Sequence, residues 1–372
     1  MTAELVALDL PGGPEFVVAL RVIWDRGDAA FPIDQRLPPA AKTVLLNAMA
    51  PATVIDGGGE HRLAGGRPVS DGDALVVATS GATGEQKGVV LTHDAVAASA
   101  RSTSDRLRVT DADHWLACLP LSHIGGLAVV TRAMYTRSTL TVLPRFEATE
   151  VDEVDATLVS LVATALARVE TERFRVIVLG GSAAPGERPA NAVVTYGMTE
   201  TGSGVVYDGV PLEGVGVRID DSGEIHLSGP MLMRAYRDER EVLVDGWLAT
   251  GDLGRWLPDG RLHVDGRRGD LIISGGENVW PEPVERVLRT HPLVADVAVN
   301  GTADPEWGHV VTAHVVPAGS VAPTLDDLRR TVKQVLPPYC APRLLHVVDA
   351  IPRTPLGKPK RTELGKAPRT GA

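Results

Sequence analysis

The sequence predicts an α/β protein in two domains: a large N-terminal domain of mixed sheets flanked by helices and ending in a β-rich subregion, then a small α+β C-terminal domain. Three observations predict it. At 372 residues the chain exceeds the size at which a single hydrophobic core stops growing. Short β-branched runs alternate with helical patterns through the first half. The texture then changes twice, at Gly209 and again after Arg267.

Taken in order, the strand runs are Ala74 to Ala78, Trp115 to Leu119, Thr139 to Leu143, Arg175 to Leu179 and Ala192 to Thr195. Asp94 to Leu107 and Gly126 to Tyr135 carry helical periodicity between them. From Gly209, turn signals at Asp221-Ser-Gly, Asp245-Gly and Pro258-Asp-Gly separate short strands. The C-terminal domain reads as a Pro281-started helix to about Thr290, strands at Val294 to Val299 and His309 to Val316, and a helix from Leu325 to Leu336. No repeat of roughly 20 to 50 residues is visible. The tail from Ala367 is small and polar and is expected to fray.

Composition excludes several classes. Hydrophobic residues at 44% and charged residues at 23% give an ordinary globular balance. A net charge of -10 argues against a nucleic-acid binder, which needs clustered Lys and Arg. Cys118 and Cys340 stand far apart, giving no disulfide framework and fitting a reducing cytoplasm. No basic start precedes an apolar run and no stretch reaches about 18 apolar residues, so neither secretion nor membrane spanning is expected.

The segment Thr79-Ser-Gly-Ala-Thr-Gly-Glu-Gln-Lys-Gly88 follows an apolar strand and precedes a second apolar run. Its glycines let backbone N–H groups approach phosphate oxygens, its hydroxyls donate, and Lys87 supplies a compact charge. It is not a Walker A loop, because Gln86 stands where that motif requires Gly. Alone, such a turn is more often a plain hairpin.

With four further segments in order, however, the chain resembles the adenylate-forming superfamily of acyl-CoA synthetases, luciferases and peptide-synthetase adenylation domains. The family's loop reads roughly Ser/Thr-Ser-Gly-Ser/Thr-Thr-Gly-x-Pro-Lys-Gly, from which Ala82 and Gln86 depart. Leu119-Pro-Leu-Ser-His-Ile-Gly-Gly126 resembles the acyl-pocket segment, and Tyr196-Gly-Met-Thr-Glu-Thr201 the adenine and metal motif. Thr250-Gly-Asp-Leu253 with Gly266-Arg267 resembles the ribose-binding pair, and Pro352-Arg-Thr-Pro-Leu-Gly-Lys358 the C-terminal lysine motif. Within the superfamily the chain is most similar to actinobacterial o-succinylbenzoate-CoA ligases of menaquinone synthesis, shortened before the nucleotide loop.

The resemblance implies residues 1–268 as the ATP- and acid-binding domain and 269–372 as a mobile lid, with Gly269 as hinge. It implies ATP, Mg²⁺ and coenzyme A, a carboxylic acid as substrate, no nucleic acid or membrane partner, and allows a homodimer. Thr79, Ser80, Gly81, Thr83, Gly84 and Lys87 would cradle phosphates; Gly180, Gly181, Ser182, Tyr196 and Gly197 would enclose the adenine. Glu200 would hold Mg²⁺ and Thr199 would donate to the α-phosphate. Asp252 and Arg267 would bind ribose, and Lys358 would stabilise charge during adenylation. Ser274, Gly275 and Gly276 would line the CoA channel.

For the acid, the implied residues are His123, Gly125, Arg132 and Thr201. His123 polarises or orients a substrate carboxylate, or is a satisfied core histidine. Arg132, costly to bury unpaired, faces a substrate carboxylate or a protein acid. Two rival functions share the motifs: an adenylation enzyme loading a carrier protein, and a CoA ligase for another aromatic or aliphatic acid. An amino-acid activator needs an acid for the substrate ammonium, and residues 119–128 contain none.

Overall fold

The computed structural model describes residues 2–80, 86–181, 187–240, 242–354 and 357–365. Gly81, Ala82, Thr83, Gly84, Ser182 and the tail from Ala367 therefore lie outside the described residues, as do the side chains of Ser80 and Gln86. The chain forms two compact units: 1–218 with 226–249 and 258–262, and 219–225 with 250–257 and 263–372. This division differs from the expected 268/269 boundary, since the Thr250-Gly-Asp turn and Arg267 join the second unit.

Two seven-stranded sheets build the first unit. In one, Ala29–Pro32 lies parallel to Leu5–Asp9 and, through Ala30 and Leu75, to Asp73–Ser80. Asp73–Ser80 then turns back antiparallel on Gln86–Thr92. The other contains the parallel run Thr139–Val142, His114–Ala117, Leu158–Leu161, Val176–Leu179 and Ala192–Met198. The central strands are β-branched and buried on both faces, as parallel sheets covered by helices demand: Val76, Val77, Val159 and Ile177 are essentially solvent-free.

The helix His93–Leu107 touches strands of both sheets, and Ile124–Thr136 packs on His114–Ala117, Leu158–Leu161 and His93–Leu107. Thr92 caps the first of these helices by accepting from the Ala95 N–H at 3.1 Å. Around them Phe16, Leu20, Trp115, Leu127, Val130 and Tyr207 form one apolar core. All five strand runs and both helices expected between 74 and 195 are present.

The second unit has its own core, built from Val284, Leu288, Val297, Val299, Val311, Val315, Leu328 and Val332. The helices Pro281–Leu288 and Leu325–Lys333 pack with the long hairpin Val294–Asp304 and Gly308–Pro317. Thr324 and Asp327 form a capping box that starts the second helix where the sequence places it. Among the described residues no helix is long and apolar enough to cross a membrane.

Candidate active site

In open α/β sheets, ligands bind beyond the carboxyl ends of the strands. The candidate residues of the first unit collect there. Asp34 and Arg36 follow Ala29–Pro32, Thr79 and Lys87 face each other across the hairpin after Asp73, and His123 follows His114–Ala117. Gly180 and Gly181 follow Val176–Leu179, while Tyr196 to Glu200 end Ala192–Met198.

Glu200 sits in the 3-10 turn Thr199–Thr201. Its backbone carbonyl accepts from the Met233 N–H at 2.8 Å, and its Oε1 accepts from the Tyr236 hydroxyl at 2.9 Å. The Tyr236 ring in turn lies 5.1 Å from the Lys87 ammonium, within cation–π range. Tyr236 thus joins the phosphate-loop lysine to the acid expected to hold metal, a link that sequence reading missed. Nothing in Arg234-Ala-Tyr-Arg237 signals it, because the bond spans 36 positions of chain. A half-buried carboxylate with oxygen donors fits Mg²⁺, which keeps its waters and takes one or two protein carboxylates beside substrate phosphates.

Thr201 corrects one expectation. It is fully buried, and its hydroxyl is bonded to Met198 N, Met198 O and Ser203 O at 2.7–2.9 Å, so it fixes the turn rather than facing an acid. Of the two partners expected for Arg132, a protein acid is not found: the arginine is buried at 3% exposure, its guanidinium 5.7 Å over the Trp115 ring, and no carboxylate pairs with it among the described residues. It belongs to the interior. Gly125 is exposed at the start of Ile124–Thr136, whereas a Cβ on Gly126 would lie 2.5 Å from the Leu119 and Pro120 carbonyl oxygens. That close approach is why the Ser-His-Ile-Gly-Gly stretch needs its second glycine.

His123 itself is half-buried, and its partners lie outside the motif. Arg36 Nη2 donates to its Nε2 at 3.2 Å, and Asp34 Oδ2 lies 3.6 Å from the same nitrogen. Arg36 also forks onto Asp34, Nε to Oδ1 at 2.8 Å and Nη2 to Oδ2 at 2.7 Å. Burial alone would raise the Asp34 carboxyl, but the His123 ring beside it and the Arg36 fork outweigh burial and hold the group well below the ordinary carboxylate range.

In the second unit, Thr250 Oγ1 donates to Ile225 O at 2.7 Å and accepts from the Asp252 N–H at 3.0 Å. Gly251 takes φ +73°, the left-handed conformation that costs glycine nothing. The turn presents Asp252, 6% exposed, to Arg267 Nε at 3.0 Å. Lys358 sits in a tight turn: Thr354 N donates to Lys358 O at 2.7 Å and Lys358 N to Thr354 Oγ1 at 3.1 Å. Arg353 anchors that turn, donating to Gly357 O at 2.6 Å and to both Asp296 oxygens at 2.6 and 2.7 Å.

Crowding by protein, then the Arg267 cation, lowers the Lys358 ammonium from its ordinary value, against the opposing pull of Asp252, Glu282 and Asp270. Its outer surface stays exposed, so solvent limits that shift. The fold therefore gathers Asp252, Arg267 and Lys358, three residues of two separate motifs, into one electrostatic cluster.

The segments that carry the nucleotide turn and the C-terminal lysine also lie within the ranges that the family comparison matches. Residues 64–237 match the AMP-binding enzyme family and residues 283–358 its C-terminal domain. A probable 2-succinylbenzoate–CoA ligase of Mycobacterium tuberculosis (strain CDC 1551 / Oshkosh) is 40% identical over 331 residues, covering 80% of this chain and 85% of the relative. The chain belongs to the AMP-binding enzyme family.

Among its relatives, the 2-succinylbenzoate–CoA ligase of Bacillus cytotoxicus is 35% identical, over 78% of this chain and 69% of its own. The o-succinylbenzoate CoA synthetase (MenE) of Bacillus subtilis, solved with its acyl-adenylate intermediate OSB-AMP, superposes with TM-score 0.88 at 29% identity, covering 99% of this chain and 89% of that one. The same enzyme solved with ATP and magnesium ion gives 0.85.

Gly275 and Gly276 form the two-residue turn of the hairpin Ile272–Ser274 and Glu277–Val279 and are exposed, whereas Ser274 is buried. Of the three expected CoA contacts only the glycines offer accessible backbone. Gly269 lies in the 3-10 turn Arg268–Asp270, with no atom near its Cβ position. Gly197 is exposed beside the bulge at Tyr196, and a Cβ there would meet Ser203 O at 2.2 Å.

Proposed function

We propose that this AMP-binding enzyme is a 2-succinylbenzoate–CoA ligase, joining the acid to AMP with release of pyrophosphate and then passing the acyl group to the coenzyme A thiol. The observation that carries the reading is the cluster of Asp252, Arg267 and Lys358. A lysine whose charge is crowded by protein and by Arg267, yet balanced by Asp252, is built to receive negative charge as it develops on the carboxylate and α-phosphate oxygens.

The remaining roles follow from position. Asp252 accepts from ribose hydroxyls and Arg267 fixes the turn that presents it. Lys87 and Thr79 face the phosphates, Tyr196, Gly180 and Gly181 bound the base, and Thr199 donates to the α-phosphate. Glu200, oriented by Tyr236, would hold Mg²⁺, which when bound offsets phosphate charge. His123 meets the acid. The glycines at 275 and 276 admit pantetheine after rotation about Gly269. A cytoplasmic setting fits two buried free thiols, Cys118 and Cys340, and a homodimer is testable by light scattering.

ATP–pyrophosphate exchange with 2-succinylbenzoate, followed by CoA addition, tests the reading. Acid-dependent exchange and a thioester product are expected. Exchange with other acids only would reject the substrate, and exchange without thioester would point to carrier loading.

A further inference from the structure

Of the two imidazole nitrogens of His123, one is held by a described residue. Nε2 is 3.2 Å from Arg36 Nη2, while Nδ1 has no hydrogen-bond partner among the described residues. Arg36 carries only donors, so a bond from it to Nε2 requires that Nε2 be the bare, accepting nitrogen. In the neutral ring the proton then resides on Nδ1. Asp34, 3.6 Å from Nε2, offers the opposite choice, because a proton on Nε2 would be donated to its carboxylate. The shorter contact belongs to Arg36, and Asp34 forks onto that same guanidinium at 2.7 and 2.8 Å. The carboxylate therefore aims the arginine, and the arginine selects the tautomer.

We propose that Asp34 and Arg36 are positioning residues that lock His123 as its Nδ1–H tautomer, so that the acyl pocket presents an N–H donor to an oxygen of the acid. The placement supports this. Asp34 and Arg36 follow a strand of the first sheet, His123 follows a strand of the second, and the Arg36–His123 contact brings these two segments together. Ser122, adjacent in the same segment, is also buried, and its hydroxyl has no partner among the described residues, a second polar group there with bonding capacity in reserve. Lysine at position 36 could donate to Nε2 but could not fork onto Asp34; methionine could do neither.

The proposal rests on the acid-binding role given to His123 above, and its first readout needs no substrate. In the protein labelled with ¹⁵N-histidine, at alkaline pH where imidazoles are neutral, the His123 signals are assigned by their loss in His123→Gln. Wild type is expected to show the proton on Nδ1, Arg36→Met to move it to Nε2, and Arg36→Lys to return part of it.

In pyrophosphate exchange with whichever acid the wild type activates, Arg36→Met should raise the KM for the acid roughly tenfold, the effect of one misdirected hydrogen bond. KM for ATP should stay unchanged. Arg36 is about half exposed, and the thermal midpoint of the variant checks that it is folded. Wild-type His123 carrying its proton on Nε2, a tautomer indifferent to Arg36→Met, or an unchanged acid KM would each overturn the proposal. Failure of 2-succinylbenzoate alone to exchange would overturn the substrate assignment and leave the tautomer result standing.

Discussion

Replacing Arg234 by methionine should unfold the first unit far more readily than its partly exposed position suggests. Asp73 opens the strand that leads to the nucleotide hairpin and is 1% exposed. Arg234 meets it with a two-pronged contact, Nε to Oδ1 at 2.8 Å and Nη2 to Oδ2 at 3.0 Å, and the only other bond to the carboxylate among the described residues is from Ser70 N at 2.9 Å. The Asp73 bond, more than any other cause, raises the Arg234 guanidinium above its ordinary value. Removing one member of a buried pair leaves a bare charge and costs about 3–5 kcal/mol.

The 30% exposure of the Arg234 side chain admits some water and places the expected loss near the lower figure, about 3 kcal/mol. Urea unfolding at pH 7 followed by tryptophan fluorescence should show a lower midpoint with an unchanged slope. Adding Asp73→Asn should recover much of the loss, since no bare charge then remains. A cost below about 1 kcal/mol, or a double variant no more stable than the single, would refute the claim that the pair holds the base of this hairpin.

Three further outcomes are expected. Lys358→Ala should cut pyrophosphate exchange by about 10² to 10³-fold while conversion of supplied acyl-adenylate to thioester persists; equal loss in both half-reactions would remove the proposed role. Thr201→Val should lower stability by about 1–3 kcal/mol by orphaning Met198 and Ser203, with the acid KM unmoved in exchange kinetics. His314 is 2% exposed, and burial, reinforced by His346, lowers it from 6.5 to about 4. The unfolded chain thus binds the extra proton first, and stability of the second unit should fall as pH drops from about 6.5 towards 4, a slope that His314→Gln abolishes in pH-dependent thermal melts.

The sequence disclosed the parts whose signals are local. Val76 and Val77, or Ile177 and Val178, are β-branched runs that stay buried whichever neighbours they meet, and Thr324 with Asp327 caps a helix within four residues. Where pairing decides, the reading fell short. Val294–Asp304 continues past the expected Val299 because Gly301 and Thr302 find ladder partners in Val311 and Val310. The leading strands from Leu5 to Arg62 were not read, although Leu5, Ala7 and Phe31 are wholly buried. Residues Asp34 and Arg36 sit in a short polar turn before Pro38 and carry no motif, since the bond that gives them meaning reaches 87 positions along the chain. Thr201 failed for the converse reason: motif proximity cannot tell a hydroxyl that closes a turn from one that faces a ligand.

The two sheets of the first unit are thus joined at their carboxyl ends by two polar bridges of different chemistry. One runs Asp34, Arg36, His123 and carries hydrogen-bond direction; the other runs Lys87, Tyr236, Glu200 and carries charge. Acid activation needs both kinds, since the acid must be oriented while a polyanion is held beside it. In each bridge the middle residue was invisible to motif reading, and in each it touches groups from two different strand ends. A substitution at Arg36 should therefore be felt in the acid KM and one at Tyr236 in the ATP KM. Tyr236→Phe keeps the ring over Lys87 and removes the bond to Glu200. It should raise the ATP KM less than Tyr236→Leu, which removes both, and equal effects would show that the ring face contributes nothing to holding Lys87.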